Sequence, residues 1–337
     1  MAGRSFRRII ARRLANVVLT IIGIMILNFC LIHFMPGDPV DSLVPRDPKF
    51  DVALKWKLYE DFHLNDSILE QLATYMWNAV TLEWGTSYIE KRSVEDIILT
   101  DLRWTMLLVG VSTVFTILIG MIVGAYAAYR RRGAFDIGST ALLLFFYGMP
   151  VFWFAMILQW SFTHKPLDMD WWPQLPAGGY YDVERFGSEL HWSLPVLLSV
   201  LEYLIVPSMV LTISYIAGVS LVMRSSLIDT LTEDYVMTAK SKGLTEYQVL
   251  RNHALPNGMP PMIALIAMDV AFIIGGAYQV EYIFNYPGIG YRTIKAINEL
   301  DFPLLQFIVV IGGVAVVLAN FVADLMLIYI DPRIKIT

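Results

Sequence analysis

The sequence predicts an all-α polytopic membrane protein with six transmembrane helices, and three observations carry that expectation. Hydrophobic residues make up 56% of the 337 residues and charged ones 16%, with a mean hydropathy of +0.56, a more apolar balance than soluble domains show. Six runs reach the roughly 20 mostly apolar residues that a bilayer core demands of a helix. Lys and Arg collect in the segments on one side of those runs.

Taken in order, the first run spans Leu14 to Met35. It is too long for a secretory leader and lacks a small-residue cleavage site, so it reads as an anchored helix. The "PGDP" of residues 36–39 stops it, because proline removes a backbone donor and fixes φ. The segment from Pro36 to Arg103 is too long for a bare connection. It repeats apolar residues at helical spacing twice, at Val52, Leu54, Leu58, Tyr59 and Phe62, then at Ile68, Leu72, Tyr75, Met76 and Ala79. Short amphipathic helices lying on the outer face are expected there.

The remaining runs are Trp104 to Tyr129, Ile137 to Phe162, Tyr203 to Met223, Pro260 to Phe284 and Phe302 to Ile330. Between the third and fourth lies a loop with Trp171, Trp172, Tyr180, Tyr181 and Trp192, expected to anchor at the membrane interface. Arg4, Arg7, Arg8, Arg12 and Arg13, then Arg130 to Arg132, then Arg224, Lys240, Lys242 and Arg251, then Arg333 and Lys335 fall on one side. That places both termini in the cytoplasm. The expected organisation is a cytoplasmic N-terminus and first helix at 1–35, an extracytoplasmic loop at 36–103, and a five-helix core at 104–337 with a cytoplasmic loop at 225–258.

Composition also excludes. A net charge of −5 gives no argument for a nucleic-acid partner. The single cysteine, Cys30, forms no intrachain disulfide and reads as a small buried apolar residue. No G-x-x-x-x-G-K-[ST], H-E-x-x-H, C-x-x-C or G-x-S-x-G occurs, and the five histidines are scattered. No catalytic residue, cofactor or metal site is therefore expected.

The cytoplasmic loop is the polar exception. Leu227, Leu231, Tyr235, Val236 and Ala239 recur at helical spacing, with Asp229, Glu233, Asp234 and Lys240 opposite. Lys240 and Lys242 suit a last turn, and Gly243 suits the positive φ of a helix C-terminus. Thr245 and Gln248 form a capping-box pattern, and Pro256 is expected to stop the second short helix. On pattern alone this is either a cover for the bundle or a docking module.

Here the residues resemble a known family. Met237, Thr238 and Ala239, then Gly243, then His253, Leu255 and Pro256 keep the spacing of the Glu-Ala-Ala…Gly…Ile-x-Leu-Pro loop of permease subunits of ATP-binding-cassette importers. "YVMTAKSKGL" and "RNHALPN" are similar to the variant of the dipeptide, oligopeptide and nickel permeases. "FMPGDPV", "EWGTSY", "YGMPVFW", "VEYIFNYPGIGY", "DFPLLQ" and "DPRI" agree in order along nearly the whole chain. "PGDP" and the long first outer loop resemble the first of that family's two permeases.

The resemblance implies a type I importer permease fold and half of a heterodimeric pore in the membrane lipid of a prokaryotic cell. Its partners would be a second permease, cytoplasmic ATPase subunits and an extracytoplasmic substrate-binding protein. The ATPase-coupling residues it implies are Glu233, Tyr235, Thr238, Ala239, Lys240, Lys242, Gly243, Leu244, His253, Leu255 and Pro256. Met237 stands where the general motif has an acid, so an ion pair made there is absent.

Ionisable residues within the runs are Glu202, Asp269, Glu281 and Asp324. A carboxylate at membrane depth faces the bundle interior or a watery path. Asp269, at mid-run, is the candidate for lining a translocation path that favours a cationic or amino-bearing substrate; the alternative is a carboxylate bonded to a neighbouring helix. Gly120 and Gly124, a G-x-x-x-G pair, permit close helix contact. Two rival classes remain. A transporter driven by an ion gradient predicts paired intramembrane acids and repeats, and a membrane enzyme predicts a clustered nucleophile or metal set.

Overall fold

The computed structural model describes residues 2–34, 64–87, 89–164, 171–187, 193–273 and 276–330, with single positions 40, 56, 59, 60 and 191. Among them the architecture is all helical: α1 (Ala2–His33), α2 (Ile68–Thr81), α3 (Val94–Tyr129), α4 (Ala134–Tyr147), α5 (Val151–Thr163), α6 (Val183–Phe186), α7 (Leu194–Leu231), α8 (Asp234–Ser241), α9 (Glu246–Val249), α10 (Leu255–Phe272), α11 (Tyr278–Ile283), α12 (Ile289–Glu299) and α13 (Phe302–Ile330). "PGDP", the amphipathic pattern of residues 52–62, Trp192, "DPRI" and the side chain of Asp324 lie outside the described residues.

Four of these helices, α1, α3, α7 and α13, are each long and apolar enough to cross a membrane. The third predicted run is a broken one, because α4 and α5 meet at 99°. The cause is local: Gly148 ends α4 and Pro150 precedes α5, so a weak helix former and a missing donor fall within three residues. The fifth predicted run, Pro260 to Phe284, is not one helix either. α10 starts earlier, at Leu255, and ends at Phe272; Gly276 then takes φ +80°, and α11 starts afresh at Tyr278.

α7 organises the bundle. Half of its most apolar window is buried in the protein, against 22% for α1 and α3, and α3, α4, α5 and α10 all pack on it. Its closest neighbour is α3. A Cβ on Gly120 would stand 2.8 Å from the Val219 side chain, and one on Gly124 would collide with the Ser220 carbonyl and sit 2.9 Å from Met223 Cβ. The glycine pair therefore serves packing within the chain. Cys30, expected inside, is exposed on the outward side of α1.

The end of the bundle holding α2, α6, α11 and α12 is tied by polar contacts. Glu281 is fully buried, and its carboxylate accepts from the Thr105 hydroxyl (3.0 Å) and the N–H groups of Ala277 (3.1 Å), Gly290 (2.7 Å) and Tyr291 (3.1 Å). Two of those donors open α12, where the unpaired N–H groups and the helix dipole favour negative charge. Arg292 bridges Asp101 on α3 (2.5 Å) to Glu90, and Lys295 also reaches Glu90 (3.3 Å). The aromatic loop is less of a surface anchor than expected. Tyr181 is buried and donates to the Gly187 carbonyl (2.8 Å), Tyr180 stacks edgewise on Trp104, and Trp172 donates to the Ser161 carbonyl (2.9 Å). Trp171 remains largely exposed.

Candidate functional site

At the opposite end, the predicted continuous amphipathic helix through Leu227 and Ala239 is two helices. α7 ends at Leu231, and the Thr232 and Glu233 N–H groups turn back onto Asp229 and Thr230 (3.1 and 3.2 Å). Glu233, in extended conformation, then caps α8. Thr232 explains the break: its hydroxyl donates to the Asp229 carbonyl (2.7 Å), a local bond that competes with helix continuation.

α8 closes as its sequence suggests. Gly243 takes φ +80°, and its N–H donates to the Lys240 carbonyl (2.9 Å). Lys240 lies in the last turn, whereas Lys242 is the capping residue just beyond it. The capping box is complete: the Gln248 N–H donates to Thr245 Oγ1 (3.3 Å), and the Thr245 N–H to Gln248 Oε1 (2.9 Å).

Pro256 does not stop the second helix. α9 passes through a π-turn, Leu250–Ala254, directly into α10. The Leu255 N–H reaches back to the Leu250 carbonyl, a five-residue step, so the widened turn comes just before the proline that lacks a donor. Pro256 falls in the first turn of α10, where no donor is needed. Arg251 and His253 lie within the π-turn, and the His253 carbonyl accepts from the Asn257 side chain (2.7 Å).

The hairpin has a small core of its own. Val236 and Ala239 of α8 and Val249 of α9 are buried against Leu231 and Leu244. Ala239 thus packs inward and is not on the free surface. Glu233, Tyr235, Met237, Thr238, Lys240, Lys242, Gly243, Tyr247 and Pro256 are exposed, while Leu244, His253 and Leu255 are half-buried. Partial burial, with the Glu233 carboxylate nearby, pushes the Tyr235 phenol above its ordinary value despite a hydrogen bond with Asn257, so it stays neutral. A cavity of about 480 Å³ lies between the end of α7, α8 and the start of α10, lined by Ser226, Asp229, Glu233, Tyr235 and Asn257.

Above the hairpin, a cavity of about 860 Å³ opens between α1, α3, α4, α7, α10, α11 and α13. Its polar lining is Ser112, Thr113, Thr116, Tyr147, Tyr215, Asp269 and Tyr278, and no Lys, Arg or His lines it among the described residues. Asp269 is half-buried and, among the described residues, forms no ion pair. No group of three or more His, Cys, Asp and Glu among the described residues is placed to hold a metal ion.

One pair escaped the sequence reading. Asp136, in the first turn of α4, is buried and accepts from Arg224 of α7 (Nε 2.5 Å, Nη2 2.9 Å) and from the Arg132 N–H (2.8 Å). Arg224 figured only as a topological charge, yet it fixes the turn before α4 to the helix that carries the hairpin.

Residues 116–336 match the family model described as "Binding-protein-dependent transport system inner membrane component". The chain belongs to this family. The permease is 32% identical over 327 residues to the oligopeptide transport system permease protein AppB of Bacillus subtilis (strain 168), covering 97% of this chain and 98% of the relative. It is 30% identical over 338 residues to the dipeptide transport system permease protein DppB of Escherichia coli (strain K12), with coverages of 97% and 98%. It is also 30% identical over 336 residues to the di/tripeptide transport system permease protein DppB of Pseudomonas aeruginosa (strain UCBPP-PA14), again covering 97% and 98%. The permease is thus an all-α polytopic membrane component of an importer. Neither a gradient-driven transporter nor a membrane enzyme gains support.

Proposed function

We propose that the permease forms half of the translocation pore of an ATP-driven peptide importer and receives the force of ATP hydrolysis through the α8–α9 hairpin. The observation that carries this reading is the hairpin itself. It is a self-cored polar unit that runs without a break in helix into α10, and α10 lines the central cavity.

On this reading, residues 225–258 lie in the cytoplasm together with both termini. Glu233, Tyr235, Thr238, Lys240, Lys242 and Gly243 meet the ATPase. Ala239, Leu244, His253, Leu255 and Pro256 hold the hairpin's shape. The loop 36–103 and the aromatic loop before α7 face a substrate-binding protein, and a second permease completes the pore within core residues 104–337. The peptide cargo rests on the names of the relatives. Asp269 lies on the path, where a carboxylate with no ion-pair partner among the described residues favours a cargo bearing an ammonium group.

The test is to tag the C-terminus, solubilise native membranes in mild detergent and identify every co-purifying chain. A second permease and P-loop ATPases are expected, with the ATPases lost when a bulky residue replaces Gly243. A permease that purifies alone, and moves peptides only under an ion gradient, overturns the proposal.

A further inference from the structure

The helix α2 has two apolar sides. One packs inward: Tyr75 is buried, and Leu72, Met76 and Ala79 join it against α1 and α13. The other carries Leu69, Trp77 and Val80 at helical spacing, followed by Leu82; they are 77%, 66%, 74% and 59% exposed. Glu70 is the only charged residue of α2, and it is committed to the capping box with Ser67, which holds its carboxyl below its ordinary range. Four exposed apolar side chains on a nearly uncharged helix form a patch that water disfavours.

The depth of α2 says what covers it. The Asn28 side chain donates to the Tyr75 hydroxyl (2.8 Å) and to the Gln306 carbonyl (3.0 Å). At 1.5 Å per residue, Asn28 and Gln306 lie roughly 6–8 Å inside the ends of α1 and α13. Beyond that level, Leu31 of α1 and Phe34, just past its end, are still 64% and 80% exposed, so the apolar outer surface of the spans continues past Tyr75 toward the outside. Tyr75 and Trp84 both contact Phe307 of α13, with ring centroids 6.0 and 5.2 Å away. Trp77, Val80 and Leu82 fall between those two contacts in the chain. The Trp84 indole N–H is buried in the protein and has no hydrogen-bond partner among the described residues.

Three residues later the chain has climbed to the polar layer. The Ser87 hydroxyl bonds Asp301, the residue just before α13, and Glu90 joins Arg292 and Lys295. α2 therefore lies on the membrane side of the ionic layer that marks the outer surface.

We infer that α2 is an interfacial helix immersed in the outer leaflet, whose Leu69–Trp77–Val80–Leu82 face is covered by lipid acyl chains rather than by the substrate-binding protein. The inference rests on the membrane reading of the chain and on the outward placement of this end, and not on the cargo or the ATPase. The orientation argument from Lys and Arg places α2 outside, and tryptophan at such a boundary is favoured because its ring is apolar and its N–H is polar.

The test uses single cysteines in a Cys30→Ser background of the full-length chain, with its co-purifying subunits, in vesicles of phosphatidylethanolamine and phosphatidylglycerol. Nitroxides are attached at Trp77→Cys and Val80→Cys, with Leu27→Cys on the exposed side of α1 as the lipid control and Glu95→Cys as the aqueous control; protein without an introduced cysteine supplies the background. Collision with oxygen is compared with collision with a water-soluble nickel chelate. Positions 77 and 80 are expected to favour oxygen several-fold, as position 27 does, with position 95 reversed. Preference for the chelate at 77 and 80, or protection from both probes, overturns the proposal, the second outcome meaning a protein cover. Protection that appears only when the binding protein is added assigns the face to docking and likewise overturns it. If position 27 also prefers the chelate, the membrane reading itself fails.

Discussion

Gly243 is where the hairpin reading is most exposed to test. Its φ is +80°, a conformation that L-residues reach at a cost of roughly 1–2 kcal/mol. A Cβ built there meets nothing within 4 Å, so sterics with the rest of the chain contribute nothing and the penalty is purely conformational. Gly243→Ala is therefore expected to cost about 1 kcal/mol, roughly a fivefold change in an equilibrium. Gly243→Val costs more, because a β-branched residue is a marked outlier at positive φ. Gly243→Asn costs least, since its short polar side chain tolerates this region. The core of Val236, Ala239 and Val249 keeps α8 folded in all three, so the loss is of shape at the turn. The assay is the affinity of the purified ATPase subunits for the permease in lipid nanodiscs. The expected order of weakening is Val, then Ala by roughly fivefold, then Asn close to the parent. Equal affinity across the series refutes the idea that the turn geometry presents the ATPase-binding surface.

Four further outcomes are expected. Gly124→Val pushes α3 off α7, and the overpacking costs about 1–3 kcal/mol; thermal unfolding of a fluorescently tagged permease in detergent reads it as a lowered midpoint. Arg224→Met strands the buried Asp136 carboxylate and destabilises by about 3 kcal/mol, while pairing it with Asp136→Leu recovers most of the loss on the same scale. Glu281→Gln turns an NH₂ toward one of the two sets of donors that the carboxylate now satisfies, costing about 2 kcal/mol, and lowers the melting midpoint without changing ATPase affinity. Asp269→Asn reduces uptake of peptides with a free amino terminus in proteoliposomes several-fold and leaves N-acetylated peptides unaffected; equal uptake of both by the variant and the parent removes Asp269 from cargo recognition.

What the sequence made legible was local. Thr245 with Gln248, and Gly243 after two lysines, are short-range devices whose chemistry is complete within four or five residues, and the structure forms them as written. The runs around α1, α3, α7 and α13 were legible because a bilayer imposes a length on apolar composition. What failed depends on competition or distance. Pro256 reads as a stop, but a π-turn placed just before it lets the helix continue. Gly148 and Pro150 sit inside an apolar run, and composition cannot distinguish a straight span from one bent by 99°. Asp136 and Arg224 are 88 residues apart, and neither is conspicuous alone. Tyr180 and Tyr181 read as surface aromatics because a loop's sequence does not reveal which wall it folds against.

These failures bear on how force could travel. The hairpin is joined to the bundle at two places of different stiffness. On one side, the break at Thr232 and Glu233 separates α8 from α7, and backbone and hydroxyl bonds to Asp229 and Thr230 tie it. On the other, α9 flows through the π-turn into α10 as continuous helix, although Pro256 supplies no backbone donor, and Ser226 of α7 holds the Gly258 carbonyl of α10 at 2.7 Å. A push on α8 is therefore passed on most directly along α10, whose Asp269 faces the central cavity, while α7 is held by Gly120 and Gly124 of α3 and by Asp136. A small cavity lies beside the contact of Ser226 with Gly258, between α7, α8 and α10. A disulfide between cysteines placed at Ser226 and Gly258 in a Cys30→Ser background should therefore abolish transport while leaving ATPase binding intact. If transport persists with the crosslink closed, α10 does not move independently of α7, and the two helices carry the stroke as one body.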